Sequence, residues 1–497
     1  MTIGTFFQKI TQKEAVMNKA RYIILILCIA ILSALFSSCK NVPHTHSFDT
    51  TEVISENSCQ AGGEIILKCL CGEGEVFKTA PKSHLLSNWE DNGGEYVKVC
   101  TLCGTTVASE KVYSYLSEGL TFERDPHSEH FIVAGIGSCT DSVIVIPPEV
   151  NGIPVIKIDN YAFKDCKNIE AVIIPDSVTK IGNAAFENSS VKRVFLPDSV
   201  TSIGNEAFSQ CEALSRLILP NSIKSLGKSI FKGTRNISEV IIPPSLSVLP
   251  DSAFAYSSIA SLSLPEGLEK IEEKAFTNCW SLKEIHLPDT LIEIGSEAFA
   301  SCTSLTKLIL PDSVTDLGKK IFSECTSLSS VNIPDGVPAL YSGVFENCKA
   351  LKKIYFNANL KSISGSSFLG IDLADTELLI PKDNKHFYLV GSSLICRNPD
   401  TVVIGSADGI IPADGHITRI GNGAFIDRRD LTHIVIPKNI THIGGGAFSG
   451  CVNLVSISYE GTVAEWEAVF LGVAWYSGDE VSSVKCLDGE AKIEYKE

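Results

Sequence analysis

Short runs in which apolar and polar residues alternate recur along most of this chain, and many of the runs end at a proline. Within residues 284–288, Ile285 and Leu287 alternate with polar neighbours, a pattern that predicts a short strand with one face turned inward. Pro288 ends the strand because it has no N–H group to donate. Leu291 then points back into the core, so each unit is expected to close into one coil.

The second half of each unit ends in a phenylalanine. In the unit above, Ile294 is predicted to face the core, and Gly295 to provide a left-handed bend. The units repeat with a fixed period of 22 or 23 residues. Such a period indicates a solenoid, because one unit cannot bury its apolar face without stacking on its neighbours. We therefore expect an all-β right-handed solenoid of parallel short strands, with at most short helical turns. The phenylalanines are spaced by 22 or 23 residues, except for one jump, and are Phe163, Phe186, Phe208, Phe231, Phe254, Phe276, Phe299, Phe322, Phe345, Phe368, Phe425 and Phe448.

Seven of the seventeen cysteines lie three residues after a repeat phenylalanine, in one interior row that we call the cysteine file. A thiol in this file acts as a small apolar group and as a weak donor to turn carbonyls. Ser189, Thr234, Ser257 and Gly370 fill the file elsewhere, so small size is the expected requirement. Disulfides between neighbours are the alternative, although parallel side-chain directions make the required torsion difficult. The seven are Cys166, Cys211, Cys279, Cys302, Cys325, Cys348 and Cys451.

These units resemble the leucine-rich repeats of the BspA-like type, whose form is close to Ile-Pro-Asp-Ser-Val-Thr-Ser-Ile-Gly-x-x-Ala-Phe-x-x-Cys. The chain repeats that form many times, for example at 174–186 and 196–208. Segment 131–139 is similar to the first coil of those proteins. Segment 459–489 is similar to their closing segment, which must cover the last open coil. The resemblance implies a bacterial surface protein that adheres to protein ligands.

One interruption breaks the period. Phe368 and Phe425 are 57 positions apart, where two repeats need about 46. The segment 387–396 predicts an extra hairpin inside this island. A bend or a local binding loop is the alternative to a purely architectural role.

The N-terminal segment predicts export. Lys19 and Arg21 precede an apolar run at 22–36 that is short for a membrane span and typical of a signal peptide. Small residues then lead to Cys39, and this site resembles the lipobox of bacterial lipoproteins, in which the cysteine is lipidated. An unmodified cysteine after an ordinary cleavage site is the alternative. Met17 is the expected initiator.

A Cys/His-rich module is predicted between His44 and Cys103. It has too few aliphatic residues for an independent core, so it needs a metal or disulfides to fold. Two pairs, 69–71 and 100–103, have the spacing of zinc knuckles or nearly so. It resembles small Cys/His-rich units that precede such repeats, which implies one ligand set in Cys59, Cys69, Cys71 and His84. Structural zinc, disulfides or neither remain open, and the candidate metal ligands are Cys59, Cys69, Cys71, His84, Cys100 and Cys103.

Charge and motifs exclude several functions. The formal net charge of -16 repels phosphate backbones, so nucleic acid is not an expected partner. The chain has no His-Glu-x-x-His motif, no Gly-x-Ser-x-Gly elbow and no phosphate-binding glycine-rich loop. We expect a binding protein and not an enzyme.

The candidate ligand-binding surface is the outward face of the strands. In the first repeats, apolar outward residues stack in one row beside two arginines, as suits protein recognition. The alternative is that β-branched residues simply favour strands. The predicted binding residues are Ile173, Arg193, Phe195, Arg216, Ile218 and Ile241, with Ala171 and Glu239 beside them and Ser263, His286, Ile309, Asn332 and Tyr355 continuing the row.

Together these features predict a lipoprotein held at the bacterial cell surface through its lipid anchor. Its expected partners are host matrix or cell-surface proteins, or other bacteria. Glycan capture in a nutrient-uptake system, or a structural role in the envelope, is the alternative. The predicted domains are a signal peptide at 1–38, an anchored linker with a zinc-ribbon-like module at 39–110, a solenoid at 111–458 with an island near 371–415, and a cap at 459–497.

Overall fold

A computed structural model describes residues 116–371, 376–406, 408–413, 415–478 and 480–493, and the backbone of six strands between Phe48 and Lys111. The predicted signal peptide and the lipidation site Cys39 lie outside the described residues. So do the side chains of the predicted zinc ligands, although the backbone of Cys69 ends a described strand. The zinc site and the lipid anchor therefore stay predictions.

The six N-terminal strands form two small sheets. Strands β1 to β3 form one sheet in that order, and β4 to β6 form an antiparallel meander. The six strands are β1 Phe48–Ser55, β2 Glu64–Cys69, β3 Gly74–Lys78, β4 Glu90–Asp91, β5 Glu95–Val99 and β6 Thr106–Lys111.

The repeat region is a solenoid in which each coil contributes one strand to a front face. Most of these front strands lie just before the prolines of the repeats. They are β9 Val143–Val145, β12 Ala171–Ile173, β14 Arg193–Phe195, β16 Arg216–Ile218, β18 Glu239–Ile241, β20 Ser261–Ser263, β22 Glu284–His286, β24 Lys307–Leu308, β26 Ser330–Asn332, β28 Lys353–Tyr355, β30 Glu377–Leu379, β35 His433–Ile436, β37 Ser456–Tyr459 and β39 Ser483–Cys486. Strand β40 Gly489–Lys492 follows as an antiparallel partner of β39.

Side strands, most of them two residues long, form a second face of the coils. They are β8 Phe131–Gly135, β11 Ile153–Ile158, β13 Lys180–Ile181, β15 Ser202–Ile203, β17 Ser225–Leu226, β19 Val248–Leu249, β21 Lys270–Ile271, β23 Glu293–Ile294, β25 Asp316–Leu317, β27 Ala339–Leu340, β29 Ser362–Ile363, β34 Arg419–Ile420, β36 His442–Ile443 and β38 Phe470–Leu471. The remaining strands are β7 Thr121–Arg124, β10 Glu149–Val150, β31 Phe387–Val390, β32 Ser393–Arg397 and β33 Asp400–Ile404.

Neighbouring coils pair in parallel and in register. Val172 of β12 lies opposite Val194 of β14, and Ile271 of β21 lies opposite Ile294 of β23. In the described residues, regular helix is limited to α1 (Val463–Glu467) and a 3-10 turn at Gly365–Phe368. The prediction of a parallel all-β solenoid with few helical turns is confirmed. No helix among the described residues has both the length and the apolar content that crossing a membrane requires.

The phenylalanines form a continuous stack through the core. Between Phe163 and Phe345 the ring centroids of adjacent coils lie 5.0 to 6.0 Å apart, and Phe368 follows at 5.7 Å. The stack resumes at Phe425 and Phe448, with centroids 5.1 Å apart. Each ring is buried by its own counterpart in the next coil, so one coil depends on another for its core.

The role predicted for Gly295 is wrong. The left-handed residues of this coil are Glu297 and Ser301, two positions before and after Phe299, with φ of 56° and 60°. At Gly295 an added Cβ would lie 2.7 Å from the backbone nitrogen of Glu273 in the preceding coil. Glycine is therefore required because two backbones approach closely, and not because the chain bends there.

Six of the seven thiols of the cysteine file have the predicted donor role, whereas Cys166 is only half-buried. Cys302 Sγ donates to the carbonyl of Phe276 at 3.2 Å, and Cys325 Sγ donates to that of Phe299 at 3.0 Å. Cys211, Cys279, Cys348 and Cys451 make the same bond to a phenylalanine carbonyl of the preceding coil. These thiols are free and buried.

The expectation that the file accepts only small residues is wrong at two coils. Ile371, and not Gly370, lies three residues after Phe368 and is buried. Arg428 lies at the file position three residues after Phe425 and is buried. Its Nη2 donates to the carbonyl of Gly405 at 3.0 Å. The long side chain fills the file where the island has replaced the preceding coil.

The island contains the predicted hairpin. Strand β31 pairs antiparallel with β32, β32 pairs antiparallel with β33, and β33 resumes parallel pairing with β34. Alternate residues of the island face different cores: Leu394 and Ile404 belong to one apolar cluster, and Ile395 and Val402 to another. The island is therefore a seam between two packed segments.

Both ends of the described coils are covered. The N–H of Ser117 donates to the Val145 carbonyl at 2.9 Å, and the Val145 N–H donates to Ser117 Oγ at 3.0 Å, which occupies the free edge of β9. At the other end, Trp475 packs edge-on against Phe448 with centroids 6.1 Å apart. These contacts supply the edge protection that an open sheet needs.

Replacing Gly295 should distinguish close approach from a left-handed bend. We expect Gly295→Ala to lower the free energy of unfolding by about 1–3 kcal/mol, because the new methyl group meets the preceding backbone. Glu297→Gly should keep or raise the free energy of unfolding. A left-handed conformation costs a non-glycine residue about 1 kcal/mol, and glycine avoids that cost. Urea unfolding of both variants is the measurement. Equal losses in the two variants would contradict this assignment.

The buried thiols should resist alkylation in the folded protein. Burial raises the pKa of Cys279 and of Cys325 to about 12, and the thiolate is the reactive form. With N-ethylmaleimide at pH 8, mass spectrometry should find both unlabelled in native protein and labelled in urea. The half-buried Cys139 and Cys396 are the internal comparison and should react first. Rapid native labelling of Cys279, or a disulfide within the file, would contradict the packing described here.

Candidate binding surface

The front strands place their outward residues in straight rows. Val172 and Val194 fill the core, so the residues on either side of each valine face away from it. Ile173 then lies opposite Phe195, and in the same row Ile218 lies opposite Ile241. We call the row that includes these four residues the front row.

The front row is less exposed than predicted. Ile173, Phe195 and Ile218 are half-buried, whereas Ile241 and Ala171 are buried. Their shielding follows from coil spacing, because residues about 5 Å apart in adjacent strands cover each other's sides. The expectation that all predicted residues are exposed is therefore wrong for Ile241 and Ala171. A role for the row in binding stays a prediction.

The two arginines of this surface have different surroundings. Arg193 is exposed, and its guanidinium carbon lies 6.0 Å from the ring centroid of Phe195. Arg216 forms an ion pair with Glu239 of the next coil, with Nε and Oε2 2.9 Å apart. Of the two arginines, Arg193 is therefore the one that a ligand can reach more readily.

Ion pairs between adjacent coils recur on both strand faces. Lys192 Nζ lies 2.8 Å from Glu170 Oε1, and its hydrogen bond lowers the pKa of that carboxyl group. Lys270 similarly pairs with Glu293 at 2.9 Å. These exposed pairs set the charge pattern of the surface more than they stabilise it.

The middle of the front row is mostly polar, with the half-buried Ile309 as an apolar member. His286 lies opposite Ser263, and its Nε2 is 3.7 Å from Glu266 Oε1. Asn332 accepts from the Leu310 N–H and donates to the Leu310 carbonyl, both at 2.8 Å. Its amide therefore fastens one coil to the next as well as facing outward.

Tyr355 lies opposite Asn332 and so continues the row as predicted, but its side chain is buried and not exposed. Leu379 lies opposite Tyr355 in the next coil and is buried as well. Because both side chains are covered, the row offers little apolar surface in these two coils.

Two exposed members of the front row were missed. Ile410 and Val435 lie opposite each other and have 62% and 50% of their surface exposed. Both precede an Ile-Pro pair, as Ile173 does. This shared motif could have placed them in the front row from the sequence. The island obscured it by shifting the period.

Acidic side chains form one further row behind the front strands. The pKa of Asp312 is raised by partial burial and by Asp335 and Asp289 in the adjacent coils. Like charges at this spacing repel each other. Among the side chains described, no group of three His, Cys, Asp or Glu residues is placed to hold a metal ion.

Solved structures with related folds come from several bacteria. A leucine-rich repeat protein from Bacteroides ovatus is 23% identical, with a TM-score of 0.49, over 76% of this chain and 100% of that one. A leucine rich cell surface protein from Faecalibacterium prausnitzii is 22% identical, with a TM-score of 0.38, over 73% and 98%. The pneumococcal vaccine antigen PcpA is 21% identical, with a TM-score of 0.34, over 68% and 100%. No curated protein matches the chain.

A family profile matches the repeats directly. The family described as "BspA type Leucine rich repeat region (6 copies)" matches residues 144–260, 247–374 and 410–470, more than half of the chain. The matched residues include the coils that carry the front row on both sides of the island. The chain belongs to the BspA-type leucine-rich-repeat family.

Proposed function

We propose that this chain is a bacterial cell-surface lipoprotein whose front row binds protein ligands. The supporting observation is that Ile173 and Phe195 lie opposite each other in register beside the exposed Arg193, with Ile218 at the equivalent position of the next coil. Aromatic and arginine side chains on a rigid scaffold suit recognition of a protein surface. The repeats supply the scaffold, and the row supplies the contacts.

The front row has two apolar ends separated by a mostly polar middle. Ile173, Phe195 and Ile218 form the N-terminal end, and Ile410 with Val435 forms the C-terminal end. A ligand that bridges them would cross the polar coils between, where contacts are weaker but add specificity. Adhesion through such a face gains from its length, since several moderate contacts act together.

Attachment to the membrane is proposed to occur through Cys39 alone. The apolar run before it is short for a membrane span, and the small residues at 37–38 suit cleavage before a cysteine. Lipidation would hold the solenoid outside the membrane, where its front row can reach host matrix proteins, host cell-surface proteins or other bacteria.

The test is a binding assay of the purified full-length chain against immobilised fibronectin, fibrinogen and laminin. We expect saturable binding that weakens at least tenfold, or about 1.4 kcal/mol, in the Phe195→Asp/Ile218→Asp double variant. Arg193→Glu should weaken it as well without disturbing the core, because this side chain is exposed.

Ile292→Asp is the matched control, since Ile292 is an exposed apolar residue outside the front strands. It should bind as the unaltered chain does. Binding that survives both front-row variants would move the site elsewhere. No binding to any of the proteins, with circular dichroism unchanged, would favour glycan capture or a structural role instead.

A further inference from the structure

A second surface feature lies away from the front row. Tyr256 and Trp280 come from adjacent coils, and their rings meet at 72° with centroids 6.1 Å apart. They remain 44% and 42% exposed. We call this pair the aromatic corner.

The fold does not require aromatic residues at these positions. Tyr256 lies two residues after its repeat phenylalanine and Trp280 four after, and no other repeat has an aromatic residue at either position. Tyr256 also has a φ of 62°, a left-handed conformation in which the equivalent residues are mostly Asn, Asp or Gly. Neither ring belongs to the core clusters. Both residues thus contribute to the surface and not to folding.

The immediate neighbours of the aromatic corner are short and uncharged. In the row of Tyr256, Gly233 precedes it and Asn278 follows it; in the row of Trp280, Ser258 precedes it and Thr303 follows. Gly233 adds no side chain next to Tyr256, which leaves space beside that ring. The hydroxyl and amide groups can donate or accept hydrogen bonds at the margin of the rings.

The charge near the corner argues against an ionic ligand. The nearest cation in the row of Trp280 is Arg235, one coil before Ser258, and Glu212 pairs with it, Nε to Oε1 at 3.5 Å. A cationic ligand such as a quaternary ammonium group would find no acidic residue at the equivalent positions of the coils next to the two rings. An anionic ligand would have to compete with Glu212 for the guanidinium group.

We propose that the aromatic corner is a binding site for a neutral glycan. A sugar ring has an apolar face of C–H groups that can lie on an aromatic ring, and a margin of hydroxyl groups that short polar side chains can bind. The two rings at 72° provide a floor and a wall for one sugar unit. Ser258, Asn278 and Thr303, at the equivalent positions of the same or adjacent coils, can supply hydrogen-bonding groups. This site is separate from the front row and does not depend on the proposed adhesion.

The experiment is a glycan array probed with the purified full-length chain, followed by calorimetry on any hit. The array contains cellohexaose, xylohexaose, mannohexaose and lacto-N-neotetraose as neutral probes, with heparin and polygalacturonate as charged ones. We expect saturable binding to at least one neutral probe, and at least a tenfold loss in Trp280→Ala and in Tyr256→Asn.

Tyr256→Asn also separates binding from folding. Asparagine tolerates the left-handed conformation, so this variant should melt at or above the temperature of the unaltered chain while binding is lost. Tyr161→Asn is the matched control, because Tyr161 is an exposed tyrosine with a φ of 63° in another coil. It should bind the probe normally, and so should the Phe195→Asp/Ile218→Asp variant.

Several results would overturn the proposal. They are an absence of binding to every neutral probe, binding only to the charged probes, or binding that Trp280→Ala leaves unchanged. Loss of matrix-protein binding in Trp280→Ala, with no neutral glycan bound, would assign the corner to a protein partner and overturn it too. Failure of adhesion through the front row would leave this result unaffected, so the two proposals are judged separately.

Discussion

The structure depends on one constraint, which is that each side chain has its own counterpart about one strand spacing away in the next coil. A residue type therefore fits a repeat position only if similar side chains can stack on one another at that position in adjacent coils. Phenylalanine does so by stacking, with centroids 5.0 to 6.0 Å apart over most of the core. Cysteine does so by donating to the carbonyl of the preceding coil, as Cys302 does to Phe276.

The same constraint distributes charge on the surface. Opposite charges in adjacent coils attract, as in Lys192 with Glu170 and Arg216 with Glu239. Like charges in one row repel: partial burial raises the pKa of Asp312, and Asp335 and Asp289 in the adjacent coils raise it further. A solenoid surface is thus a set of columns whose local chemistry changes where a column changes residue type. The front row and the aromatic corner are two such local changes.

The repeat period predicted the strands, the stacking and the donor role of the thiols, because equivalent positions recur many times. It did not predict backbone conformation. Gly295 and Glu297 are both recurrent positions, but only the structure shows that the first avoids a neighbouring backbone and the second is left-handed. Arg428 was missed because it occurs once, at the seam after the island. The burial of Ile241 was missed because alternation gives the direction of a side chain and not the cover that its neighbours provide.

The covered ends have a consequence for how such a protein can change in length. Ser117 closes the free edge of β9, and Trp475 covers Phe448, so neither end has to resemble an interior coil. An interior coil presents the same faces on both sides, and one whole unit could therefore be gained or lost by recombination without redesign of the core or of either end. Each such event would move features on opposite sides of the inserted unit apart by one fixed step. The number of coils between two surface features then sets the distance between them.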